Sequence, residues 1–152
     1  MKKASPIVVF TLDGQRYALD LSMVERVERI VEITPLPRSP DIVLGVVNVR
    51  GDVIPAVNVR KRFRLPEREI SLSDQLIVAN TSVRTMALVV DEVIGVLAVS
   101  GAAVIDGGDI LPGMDYVEGV VKLSDGMVLI HDLEKFLSLA EAKALEESMQ
   151  QA

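Results

Sequence analysis

The chain has 152 residues, of which 49% are apolar and only 3% aromatic, with a formal net charge of −6. That length fits one domain, or two halves each too small to be stable alone, and a core so poor in rings must be filled by Val, Leu, Ile and Ala, which suits sheet packing. The absence of cysteine excludes a disulfide framework and thiolate chemistry. No run of about 18 apolar residues is present to span a bilayer, and the opening MKKASPIVVF is interrupted by Pro6 before it meets Asp13, too short for a signal peptide. A soluble cytoplasmic protein without membrane insertion is the expectation.

In chain order, residues 7–12 form a continuous apolar run that ends at Asp13-Gly14, a hairpin signal, and residues 17–21 alternate as a half-buried strand does. Residues 22–34 have some helical spacing but are crowded with Val, Ile and Thr, which favours a turn near Ser22 and then a long strand to about Thr34. Pro35, Pro37 and Pro40 mark a surface loop. The stretch 43–63 reads as a strand, a tight turn on Arg50-Gly51-Asp52, a second strand and a short basic helix opened by Asn58, with Gly51 supplying the positive φ of the reversal and Asn58 the cap. Pro55 cannot donate a ladder hydrogen bond, so its strand belongs at a sheet edge or beside a bulge. Residues 64–73 are the expected linker and 101–115 the longest loop. After it, Ser138 and Glu141 form a capping box for a C-terminal helix with Leu139, Ala142, Leu145 and Met149 along one face.

Much of this is written twice. A shift of 74 carries 43–63 onto 117–137, with Gly45 on Gly119 and Asn58 on Asp132, and a shift of 69 carries Ile7, Ala18 and Val24 onto Leu76, Ala87 and Val93. A duplicated unit of about 70 residues is the economical explanation, forming two sub-barrels that bury their faces on one core. The expected subdomains are 13–66 and 74–137, with the strand 7–12 belonging to either, and 138–152 as the C-terminal helix.

Charge is unevenly placed: residues 1–75 carry twelve basic against ten acidic side chains, residues 76–152 four against twelve. The basic excess at Arg50, Arg60, Lys61, Arg62, Arg64 and Arg68 reads first as a solvated helix end and loop. A small β-barrel binding nucleic acid through the Arg60 to Arg68 patch is an alternative, opposed by the lack of interleaved aromatics and by the overall negative charge. Chemistry-bearing residues are scarce. His131 is the only histidine and falls on Val57 in the repeat, which makes it structural. No cluster matches zinc, no phosphate loop is present, and Asp106, Asp109 and Asp115 lack the alternating ligands of a calcium loop. Ser100 or Ser124 as a nucleophile would want a base the chain hardly offers. No catalytic residue, metal or cofactor is expected, and what remains is a binding module.

Tyr17-Ala18-Leu19, Val24, Pro37, Pro40, the run 45–51 (Gly-Val-Val-Asn-Val-Arg-Gly), Val53-Ile54-Pro55, Val59-Arg60, the run 87–93 ending Asp-Glu-Val, and Gly119-Val120-Val121 together resemble the CheW-type chemotaxis coupling proteins over residues 7–137. The Asn-x-Arg-Gly-x-x-x-Pro segment with the later Asp and Val is the specific part of that likeness. The resemblance implies two SH3-like five-stranded barrels sharing a core, short helices after each closing strand, and a non-catalytic adaptor. Its implied partners are the cytoplasmic tip of methyl-accepting chemoreceptors and the regulatory domain of a CheA-type histidine kinase. By the same resemblance Asn48, Arg50 and Gly51 match the coupling motif, Gly45 a glycine of the receptor groove, and Val24 an apolar contact beside it. Arg26, two residues after Val24, stands where the family commonly has Glu. A scaffold of a non-chemotactic signalling cluster is the neighbouring alternative.

Overall fold

The computed structural model describes residues 5–99, 104–106 and 117–151. Among the described residues eleven strands run β1 Ser5–Leu12, β2 Gln15–Asp20, β3 Val24–Arg29, β4 Val43–Val49, β5 Asp52–Val57, β6 Gln75–Asn80, β7 Thr85–Val90, β8 Glu92–Val99, β9 Val104–Asp106, β10 Val117–Leu123 and β11 Gly126–His131. Helix α1 spans Val59–Arg62 and α2 Leu139–Gln151, with single 3-10 turns at Leu21–Met23 and Leu133–Lys135. The fold is mainly β with a C-terminal helix, as the aliphatic composition required.

One sheet has the strand order β3-β6-β7-β5-β4, the other β8-β1-β2-β11-β10 with the three-residue β9 added at its edge. Applying the two sequence shifts strand by strand turns the first order into the second. The parallel joints match, β5 with β7 in one sheet and β11 with β2 in the other. The bulges match too: register slips between Val43 and Gly45 and again between Val117 and Gly119, 74 residues on. Glu25 is skipped in the β3–β6 ladder as Ile94 is in the β8–β1 ladder. A bulge bends its strand and raises local twist, so repeating each bulge rolls both sheets in the same way.

Sheet membership departs from the division 13–66 and 74–137. The first sheet is built entirely within residues 24–90, and the second from residues 5–20 and 92–131. Each half lends its opening hairpin to the other half's strands through the parallel joints, so the unit repeated in sequence is not the unit closed in space. Strand β1 belongs to the second sheet with β2 and β8.

Three apolar clusters hold the sheets. Val47, Ile54, Leu76, Val78 and Ala87 fill the first barrel, and Ile7, Val9, Ala18, Val128 and Ile130 the second. Between them Phe10, Leu12, Tyr17 and Leu19 of one sheet meet Ile77, Ala79, Met86 and Leu88 of the other, closed by Leu133, Phe136 and Leu145. Strands such as β6 and β7 are therefore buried on both faces, which is why they read as continuous apolar runs rather than as alternation.

Two local expectations need correction, and of the two settings open to the Pro55 strand the structure takes the bulge. The long strand to Thr34 stops at Arg29: Ile30 turns its N–H to the Asp74 carbonyl, and Thr34 instead makes an isolated two-way bridge to Val46 at 2.8 and 2.9 Å. Strand β5 lies inside its sheet rather than at an edge. Pro55 fits because Val46, opposite it, spends its backbone groups on Thr34, and the β5–β7 ladder starts only at Ala56; a bulge does lie alongside. In α2 the capping box forms, Ser138 N to Glu141 Oε1 at 2.8 Å and Glu141 N to Ser138 Oγ at 3.1 Å. Leu139, in the first turn, is nonetheless 93% exposed, and Leu145 and Ser148 form the buried face.

Candidate partner-binding site

The β4–β5 turn is the centre of the site. Arg50 at φ 52° and Gly51 at φ 94° both have left-handed backbone, the pairing of a type I′ turn whose twist suits a hairpin. Glycine accepts that conformation freely, whereas Arg50 must be held there. The Asn48 side chain does part of the holding by accepting the Gly51 N–H at 2.9 Å. The spacing Asn-x-Arg-Gly is thus a turn-forming device that presents one guanidinium at its tip.

Arg50 reaches across the open edge of the barrel to β3, where its Nε donates to Glu28 Oε2 at 2.6 Å while the side chain stays 74% exposed. Arg26 meets the same carboxylate, Nε to Oε2 at 2.9 Å, and donates to Glu25 through Nη1. One carboxylate therefore aligns two guanidiniums. The hydrogen bond from Arg50 is the main cause holding the Glu28 carboxyl below its ordinary range; desolvation opposes it, and the charges of Arg50 and Arg26 add to the lowering. Strand alternation puts Arg26 and Glu28 on one face of β3, yet the sequence alone left open whether Arg26 is paired within the chain. That Arg50 would join them was not legible there either, because it depends on the sheet rolling until β3 and the β4–β5 turn meet.

Gly45 plays a different part. A Cβ there would lie 2.2 Å from the Thr34 carbonyl oxygen and 2.8 Å from its carbon, with φ at 153°. Its first duty is to let the Thr34 segment cross β4. Val24 opens β3 opposite Ala79 and packs against the shared core. The structure accordingly brings Arg26, Asn48, Arg50 and Gly51 together with Glu28, and sets Gly45 and Val24 behind them as scaffold.

The basic stretch after β5 is solvated only in part: Lys61, Arg64 and Arg68 are exposed, while Arg60 is drawn inside. Arg60 is buried, its Nη1 donating to Asp13 at 2.8 Å and to the Pro66 carbonyl at 3.1 Å, its Nη2 to both Asp91 oxygens at 2.7 and 2.9 Å. Arg68 forks onto the buried Asp74 at 2.6 and 3.0 Å and onto Asp91 at 2.7 Å. Burial opposes the charge on Arg60, yet the Asp91 and Asp13 carboxylates raise its pKa overall. Burial likewise opposes ionisation of Asp91, and the Asp13 N–H with the Arg60 and Arg68 guanidiniums lowers it below the usual carboxylate range. Arg62 is paired with Glu141 and Lys61 lies 3.9 Å from Asp41. Phosphates would have to displace carboxylates from Arg60, Arg62 and Arg68, which speaks against the nucleic-acid alternative. Sequence reasoning missed this network because its members lie up to 78 residues apart.

His131 is a packing residue: its ring stacks on Phe63 with centroids 3.9 Å apart and 10° between planes, and burial alone lowers its pKa to about 3. Among the described residues no group of three or more His, Cys, Asp or Glu could hold a metal, and no helix is long and apolar enough to cross a membrane. Ser100 and the Asp109 and Asp115 positions of the acidic loop lie outside the described residues.

Two SH3-like barrels clasped on one aliphatic core, with a held arginine at the open tip of one, define a double-barrel scaffold class. The CheW-like domain family model matches residues 6–141, and the chain belongs to that family. It is 27% identical to the chemotaxis protein CheW of Treponema pallidum, over 91% of this chain and 85% of that protein. With the chemotaxis protein CheW of Thermotoga maritima it shares 30% identity, over 89% of each. The solved structure of the scaffolding protein TtCheW from Thermoanaerobacter tengcongensis matches with a TM-score of 0.81 and 29% identity, covering 91% of this chain and 90% of that one.

Proposed function

We propose that this protein is a non-catalytic cytoplasmic adaptor that couples the tips of methyl-accepting chemoreceptors to the regulatory domain of a CheA-type histidine kinase. Membership of the CheW-like family supports the reading. The observation that carries it here is the Asn48–Arg50–Gly51 turn, whose Arg50 is tied through its Nε to Glu28 on β3 while its side chain stays 74% exposed. A planar, always charged guanidinium fork meets a partner's carbonyls or carboxylate through several donors at once. Arg26 joins the same face, and its charge is taken up by Glu25 and Glu28, so the replacement of the family's usual Glu is compensated within the chain. Val24 and Gly45 set the strand edges that flank the contact.

Calorimetric titration with a purified kinase regulatory domain and with receptor-tip helices tests the proposal. Binding of both is expected, and the absence of heat with either partner contradicts it. Binding of the kinase domain without any receptor tip would point instead to a dedicated, non-chemotactic cluster.

A further inference from the structure

Among the described residues the chain crosses between the barrels twice, and the crossings are built differently. From β2 to β3 it passes through the 3-10 turn Leu21–Met23, whose bonds are local: Asp20 Oδ1 accepts from the Ser22 N–H at 2.9 Å and from the Ser22 hydroxyl at 2.8 Å. From β7 to β8 the whole crossing is one residue, Asp91. Its N–H donates to the Thr11 carbonyl at 3.1 Å, and its Oδ2 accepts the Asp13 N–H at 2.9 Å, both at the β1–β2 end of the second barrel. Its carboxylate also takes Arg60 of α1 and Arg68 of the 63–74 connector, both of which belong to the first barrel. Asp91 is therefore bonded to both barrels at the point where the chain passes from one to the other.

We infer that Asp91 fixes the angle between the two barrels and so acts as a positioning residue for the face that carries Arg50. The inference rests on the adaptor reading only in this last clause. The physical reason is the difference between the two kinds of contact at the interface. The shared core is mostly aliphatic, with Phe10, Tyr17, Phe63 and Phe136 as its hydrophobic rings, and apolar burial is non-directional, so it resists separation of the barrels better than their sliding. Charge-assisted hydrogen bonds are short and directional. Those at Asp91 arrive from three separate segments and pin the rotation.

The chain contains no cysteine, so Val53→Cys and Met127→Cys give two clean labelling sites, one on each barrel, at positions 56% and 52% exposed. In the full-length protein carrying both spin labels, electron–electron distance measurement should give a single narrow peak. Asp91→Asn keeps the shape of the side chain and removes its charge; the peak is expected to broaden or move while thermal unfolding stays a single transition. An unchanged peak, whatever happens to the melting temperature, overturns the inference. Should Asp91→Asn fail to fold, Arg68→Ala removes one of the two guanidiniums on Asp91 from the solvent side. A smaller broadening is then expected, and an unchanged peak overturns the inference equally. The experiment contains no partner protein, so its outcome is independent of the adaptor proposal.

Discussion

The β4–β5 and β10–β11 turns occupy equivalent places 74 residues apart, yet they carry opposite charge. Arg50 and Gly51 form the first tip, Ser124 and Asp125 the second. Arg50 reaches to Glu28 on β3 of its own barrel. Asp125 is closed onto its own barrel by Arg16 of β2 at 3.0 Å, and the neighbouring Gln15 bonds the Met127 carbonyl at 3.1 Å. Strand order, bulges and parallel joints have been kept between the two barrels, whereas the tips have not. Duplicated physics thus explains the frame, and the departure from it falls at the tip to which the proposed function assigns recognition.

The largest effect should come from breaking the frame beside the first tip. Gly45→Ala forces a Cβ into the Thr34 carbonyl, which backbone cannot easily yield, and should cost about 3 kcal/mol or more in denaturant unfolding. Gly126→Ala at the second tip also meets a close atom, at 2.8 Å, but that atom is the end of the Arg16 side chain. The positive φ of 145°, matched by 153° at Gly45, carries a cost of about 1–3 kcal/mol at either site, so Gly126→Ala should incur that strain without the backbone clash and cost less than Gly45→Ala. Equal costs would show that the crossing over Gly45 is less rigid than the structure indicates.

A pH series separates the barrels next, because His131 in the second corresponds to Val57 in the first. The folded pKa of His131 is depressed from 6.5 to about 3 by burial, so the unfolded chain takes up its proton first as pH falls. Its contribution to stability is complete above pH 6.5 and is lost at up to about 1.4 kcal/mol per pH unit below it, or about 2 kcal/mol by pH 5. His131→Phe should flatten the stability profile between pH 6.5 and 5, read by urea unfolding at each pH. The carboxylates Glu28 and Asp91, whose pKa values are lowered in the fold, add their own loss only as pH falls below the ordinary carboxylate range.

The smallest stability effects lie in the turns. Asn48→Ala removes the bond to the Gly51 N–H and should cost about 1 kcal/mol, whereas Lys122→Ala, its counterpart at the second turn, should change stability by no more than about 0.5 kcal/mol. Unfolding curves that show no difference between the two would mean that Arg50 is held by Glu28 alone.

How much of this was legible in the sequence follows from the range over which each signal acts. Asp13-Gly14 and Gly51 marked their turns, Asn58 its cap and Ser138 with Glu141 the capping box, because each is settled within a few residues. The two shifts made the duplication visible because strand patterning repeats with it. The exchange of hairpins was hidden: β1 and β6 are equally apolar, and nothing in either says which sheet it will join. Arg60 read as a solvated cation for the same reason, since Asp91 and Asp13 lie 31 and 47 positions away. Arg26 looked like a bare charge reversal until the barrel closed and placed Glu28 between it and Arg50.

The account is tested most directly by comparing the two tips in one binding experiment. Arg50→Ala and Asp125→Ala each remove one exposed tip charge, and both should leave the thermal midpoint nearly unchanged. Titrated against receptor-tip helices and the kinase regulatory domain, Arg50→Ala should lose binding heat while Asp125→Ala keeps that of the parent protein. Equal binding by the two variants would contradict the assignment of recognition to the first tip.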